Sequence, residues 1–166
     1  GLPAYEVSNH AAPGQESQHN LLYWRYGEYV GTGPGAHSRL ADGLNRRALV
    51  AESHPETWRG LVTDRGHGMV ADSVVEPRDQ ASEYLLMGFR ISEGIDLDRY
   101  AALAGRDIDS TRVADMTSMG LIMRRGRRLY ATADGRKLLN AVIAELAAGS
   151  TAPASLPASA NPSANP

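Results

Sequence analysis

Chemically capable side chains are densest between residues 17 and 40, SQHNLLYWRYGEYVGTGPGAHSRL. His19, Asn20 and Tyr23 stand there in the spacing H-N-x-x-Y. On a helical turn, His19 and Tyr23 fall at i and i+4 on one face. Imidazole and phenolate are both axial ligands of haem iron. They serve equally well as hydrogen-bonding side chains that pack a loop, and spacing alone leaves both readings open. Next comes GTGPGA, residues 31–36, which formally matches G-x-G-x-x-A. A dinucleotide fingerprint needs a preceding strand and a sustained helix whose N-terminus holds the pyrophosphate. Asp42-Gly43 arrives too soon for such a helix. The glycines instead mark a backbone that approaches a neighbour closely, either a ligand or another strand.

Other chemistries find less support. His10, His37, His54 and His67 are isolated, and no H-E-x-x-H or G-x-S-x-G occurs, which removes the metalloprotease and α/β-hydrolase readings. With no cysteine, the chain itself supplies no disulfide, no thiolate zinc site and no iron–sulfur ligands. The run Arg124-Arg125-Gly126-Arg127-Arg128 could touch phosphates, but the preceding stretch DSTRVADMTSMG carries one Arg against two Asp. A recognition helix should bring donors to base edges. With a net charge of −2, the expectation is a solvated hairpin tip and no nucleic-acid partner. No run of 18 apolar residues predicts a membrane span. The opening GLPAYEVSNH lacks a basic and an apolar signal region, so a cytoplasmic location is expected. It also lacks an initiating Met and reads as a strand already under way, as in a piece of a longer protein.

These residues need elements to position them. Residues 4–8 and 29–32 read as short strands around a turn-rich segment. Residues 38–41 and 46–51 read as hairpin arms around Asp42-Gly43. From His54 the pattern becomes helical. Pro55 suits N1 of a helix to about Arg65, with Trp58, Leu61 and Val62 on one face. A helix from Pro77 carries Ala81, Tyr84, Leu85, Gly88 and Ile91 at helical spacing, and Gly94 stops the run. Asp96 and Asp109 cap two more helices, stopped by Gly105 and Gly120. LIMRRGRRLYAT reads as two strands around a glycine turn. Thr132 caps a last helix with Leu138, Leu139, Val142, Ile143 and Leu146 as its apolar face. Three helices, a two-stranded wing and a closing helix predict a winged-helix-like arrangement, with a disordered Pro/Ala/Ser/Asn-rich tail at 149–166.

Several stretches together resemble one family. YEVSNHAAPGQESQHNLLYW followed by EYVGTGPGAHS is similar to the end of the radical S-adenosylmethionine (SAM) domain in the HemN/HemW group. That group comprises oxygen-independent coproporphyrinogen III oxidases and related haem chaperones. PETWRGLVTDRGHG, ASEYLLMGFRISEGIDLDRY and LYATADGRKLLNAVI resemble the C-terminal domain that follows. The resemblance covers about residues 4–146. It implies an α+β chain: residues 1–50 as the end of a partial (β/α) barrel, residues 54–147 as a winged-helix-like domain.

Within the group, H-N-x-x-Y is associated with the haem-binding chaperone branch. The resemblance therefore implies haem at His19, Asn20 and Tyr23, with His19 on the iron. It also implies SAM near Gly33, Gly35 and Ala36 in the parent protein. The family's cluster-binding C-x-x-x-C-x-x-C loop has no counterpart in this cysteine-free chain. The parent's [4Fe–4S] cluster would lie elsewhere, and this chain alone should perform no radical chemistry. Haem or porphyrin and haem-recipient proteins are the implied partners. A coproporphyrinogen oxidase is the alternative, and it would need cations for substrate carboxylates, of which residues 1–40 offer Arg25 and Arg39. A third option is an inert scaffolding piece. Residues 1–50 are expected to fold poorly without the rest of a barrel, and residues 54–147 to form a core of their own.

Overall fold

The computed structural model describes residues 1–43 and 45–148; the expected disordered tail, 149–166, lies outside the described residues. The architecture is α+β. The first helix, α1 (Gln18–Trp24), begins where the Ser17 hydroxyl accepts from the Asn20 N–H at 3.3 Å. A three-stranded antiparallel sheet follows, in the order β1 (His37–Asp42), β2 (Asn45–Ala51), β3 (Met69–Val74). The β1–β2 hairpin closes on the Asp42↔Asn45 pair, as the Asp-Gly turn signal predicts. Helix α2 (Pro55–Arg65) connects β2 to β3, with Pro55 in its first turn and left-handed Gly66 ending it. Because β3 pairs with β2, this sheet straddles the boundary expected near residues 50–54.

The remaining chain forms a winged arrangement. Helix α3 (Pro77–Gly88) buries Ala81, Tyr84, Leu85 and Gly88, the face that its periodicity predicts. Strand β4 (Ile95–Asp96) leads into α4 (Leu97–Ala104), where the Asp96 carboxylate accepts from the Arg99 N–H at 3.0 Å. Helix α5 (Ser110–Ser118) is capped in the same way by Asp109. The wing strands β5 (Ile122–Arg125) and β6 (Arg128–Ala131) join β4 in the order β4-β6-β5. Helices α6 (Ala133–Lys137) and α7 (Leu139–Ala148) close the core. Phe89, Ile95 and Leu129 are 0 % exposed at its centre. Gly94 is required between them: its φ is +65°, and a Cβ there would run into the Leu129 carbonyl and Tyr130.

Four local readings are corrected. Residues 4–8 form a tight loop, not a strand; it is tied by an Ala4↔His10 bridge and a 3.2 Å hydrogen bond from the Tyr5 N–H to the Asn9 carbonyl. Residues 29–32 make only the Tyr29↔Arg39 bridge, because the glycines turn the chain at once. Strands β3 and β4 carry no clear alternation and escape a sequence reading. The last helix breaks at Leu138, whose φ of −115° and ψ of 25° leave the helical region. Leu138 is then 55 % exposed and not part of the predicted apolar face.

Candidate functional site

Helix α1 divides the H-N-x-x-Y residues between two sides. Its inward side buries Leu21 against Tyr5 and Ile91. Asn20 also turns inward, where its Nδ2 donates to the Tyr5 hydroxyl at 3.3 Å. His19 is exposed, and its ring meets the edge of Tyr23 with centroids 4.8 Å apart and planes at 69°. Tyr23 in turn leans on Tyr29 at 4.3 Å. The i, i+4 spacing therefore produces one outward face, extended by Tyr29 into an aromatic row. The His19 imidazole has no hydrogen-bond partner among the described residues, so its nitrogen lone pair is available to a ligand.

The glycine segment packs beside the β1–β2 hairpin. A Cβ at Gly31 would collide with the His37 carbonyl oxygen, so the close approach that requires glycine there is to this chain's own strand. The Ser38 hydroxyl, almost fully buried, accepts from the Gly31 N–H at 3.0 Å. Gly33 and Gly35 supply positive φ values of 98° and 70°. The Gly35 N–H donates to the Glu52 carbonyl at 2.7 Å, and the Ala36 N–H donates to the Gly33 carbonyl at 3.3 Å. A Cβ at Gly33 would meet nothing within 4 Å, so this is the open side of the turn.

Between α1 and the glycines lies Tyr26, in the left-handed region at φ +55°. For a bulky residue this costs about 1–2 kcal/mol, and its surroundings must hold it there. Arg99 donates to the Arg25 and Tyr26 carbonyls at 2.7 and 2.8 Å. The Arg46 guanidinium stacks 3.8 Å over the Tyr26 ring and donates from Nη2 to the Gly27 carbonyl at 2.7 Å, while its buried Nε has no hydrogen-bond partner among the described residues. The Tyr26 hydroxyl donates to Glu83 at 2.8 Å, and Arg39 pairs with the same carboxylate at 2.9 Å. Burial alone would push the Glu83 carboxyl up, but the hydrogen bonds from Arg39 and Tyr26 and the charges of Arg39 and Arg46 hold it below its usual value. Burial, reinforced by the hydrogen bond to Glu83, raises the Tyr26 phenol well above its ordinary value. The network locks β1, β2 and the post-α1 turn onto α3 and α4. Sequence reasoning missed Glu83, Arg46 and Tyr29, because their roles arise from contacts between distant segments.

Arg25 and Arg39 are both committed, Arg25 to Glu93 through both carboxylate oxygens and Arg39 to Glu83. Among the described residues no three His, Cys, Asp or Glu side chains gather as a metal cluster, and no helix is long and apolar enough to cross a membrane.

Comparisons with known proteins agree with this architecture. Residues 75–138 match the model of the HemN C-terminal domain. The chain is 31% identical over 156 residues to the mitochondrial radical S-adenosyl methionine domain-containing protein 1 of Bos taurus, covering 88% of this chain and 35% of that protein. It is 32% identical over 145 residues to the heme chaperone HemW of Bacillus subtilis, covering 86% and 37%. Against HemW of Mycobacterium tuberculosis the identity is 34% over 146 residues, covering 88% and 35%. The chain thus spans about a third of the length of these relatives. Coproporphyrinogen III oxidase (HemN) from Escherichia coli shares the fold, with a TM-score of 0.55 at 14% identity over 82% of this chain and 35% of that one. The chain therefore belongs to the HemW/HemN-like radical SAM family and carries its HemN C-terminal domain.

Proposed function

We propose that this chain is the C-terminal part of a HemW-like haem chaperone, with His19 as the haem-iron ligand and Asn20 and Tyr23 as its positioning partners. The observation that carries this reading is the state of the His19 imidazole: exposed, without a hydrogen bond, and braced by the Tyr23–Tyr29 row. An imidazole free at nitrogen and backed by aromatic rings suits an axial ligand beside a flat apolar macrocycle. Asn20 fixes the helix by holding Tyr5 and leaves the outward face to His19 and Tyr23. Haem, if bound, would supply a Lewis-acidic iron that the His19 imidazole would hold; the chain's own part would be to bind it, orient it through Tyr23 and release it to a recipient protein.

Residues 1–50 are assigned to the end of the radical SAM portion and residues 54–147 to the domain that follows. Gly33, Gly35 and Ala36 are assigned to the SAM side of that portion, with Gly33 as the accessible position. The residues present do not fit an iron–sulfur cluster, since the chain has no cysteine, and no step through a cluster is derived. The second reading, a coproporphyrinogen III oxidase-like protein, needs free cations for substrate carboxylates. Within residues 1–40 the two arginines, Arg25 and Arg39, are paired with Glu93 and Glu83, so among the described residues of that stretch no free cation stands beside the α1 face, which favours the chaperone.

The test is a haemin titration followed at the Soret band, on wild-type protein and His19→Ala. Saturation by wild type, with a collapsed affinity or altered spectrum in the variant, supports the ligand assignment. Coincident titrations remove it and direct attention to coproporphyrinogen decarboxylation.

A further inference from the structure

The outer face of the wing holds two adjacent cations that form no ion pair among the described residues. Arg125 of β5 and Arg128 of β6 are a direct cross-strand pair. Like charges facing each other across strands oppose pairing. Several arginines of the chain are paired with carboxylates, Arg25 with Glu93, Arg39 with Glu83, Arg47 with Asp72, Arg112 with Glu145 and Arg127 with Asp98; what sets Arg125 and Arg128 apart is that they stand side by side. Arg125 lies 5.9 Å over the Tyr130 ring, and Arg128 donates to the Gly94 carbonyl at 3.4 Å. Asp96 is the cross-strand neighbour of Arg128 on β4, but that carboxylate caps α4 at the Arg99 N–H and makes no ion pair with Arg128 among the described residues. Glu93 lines the same open cleft of about 480 Å³, together with Ser92 and Tyr130, but Arg25 occupies both of its oxygens.

Apolar surface adjoins the charge. Met123 pairs with Tyr130 in the register, accepts its hydroxyl at sulfur and is 45 % exposed. On each strand of the hairpin every second residue shares a face, so Met123, Tyr130, Arg125 and Arg128 lie together. Arg, Tyr and Met are the side chains enriched in protein–protein interfaces. A nucleic-acid occupant fits poorly: α5, the helix that would enter a groove, is capped by Asp109 and carries Asp115.

We propose that the outer face of the wing docks an acidic polypeptide segment, with carboxylates on Arg125 and Arg128 and an apolar side chain on Met123 and Tyr130. The inference is independent of the haem reading, because it uses no residue of α1.

The experiment titrates the full 166-residue chain with a short fluorescein-labelled peptide of alternating Glu and Val, read by anisotropy and by amide shifts. Expected are saturable, salt-sensitive binding and shifts centred on Ser92 and residues 123–130. The double variant Arg125→Glu/Arg128→Glu should weaken binding by about tenfold or more, roughly the effect of removing close charge pairs at an interface. Because two Glu side chains would face each other as the two Arg do, the neutral variant Arg125→Gln/Arg128→Gln is the one read for stability: it should melt no lower than wild type and still bind the peptide weakly. The charge-matched control Arg65→Glu/Arg78→Glu should bind like wild type. The proposal is overturned if the Glu peptide does not bind, if a Gln-for-Glu peptide binds equally, or if the control loses as much. It is also overturned if duplex DNA binds this face more tightly than the peptide.

Discussion

From α3 to α7, Phe89, Ile95 and Leu129 are fully enclosed, and buried residues of α3, α4, α7 and the wing meet in one cluster. The region from α1 to β3 is built differently. Strand β3 exposes every residue after Met69, and α2 buries none of its residues. What fixes this region onto the core is a small apolar contact, Leu21 and Tyr5 on Ile91 with Tyr26 buried at the core's edge, and a polar latch: Arg39, Arg46, Tyr26 and Glu83, with Arg99 holding the strained turn. Apolar packing makes a cooperative unit. A latch of oriented charges gives position without enclosure. The candidate haem and SAM residues all lie on the latched side, where surfaces stay open to ligands.

The comparison breaks most visibly in the core. Phe89→Ala should cost about 3–5 kcal/mol, read as an earlier urea transition in both regions, since the latched region has little core of its own. Glu83→Gln should cost about 1–3 kcal/mol, because it leaves Arg39 and Arg46 without their carboxylate. Amide exchange should then rise in β1 and β2 and leave α7 unchanged; equal loss everywhere would refute the division. Asp96→Ala removes a cap and should cost about 1 kcal/mol, read as a lower melting temperature with the latch intact.

Acid should separate the regions as the Glu83 variant does. The Glu83 carboxyl is depressed when folded, so its contribution is complete above the ordinary value of 4.5. It is lost as pH falls through the lower folded value. Exchange in β1 and β2 should therefore accelerate on acidification before that in α3 and α7. The reverse order would sink the latch.

The core was largely legible in the sequence. Pro55, Pro77, Asp96 and Asp109 announce helix starts through backbone chemistry that acts locally, and the α3 face follows from 3.6-residue spacing. The His19–Tyr23 pairing is legible for the same reason. Gly31 signalled a close approach, yet only the structure identifies the neighbour as His37. The latch was illegible because Arg39 and Glu83 lie 44 residues apart and neither stands in a recognisable motif. Strand β3 was hidden for a related reason: with most of its side chains exposed, no alternation is imposed on MVADSV.

The most direct measurement is amide hydrogen exchange with and without haemin. Protection gained in α1 and residues 29–36, with α3 to α7 unchanged, is the result predicted from His19 on an open, latched surface. Protection gained only within the α3–α7 core, or none at all, would contradict it.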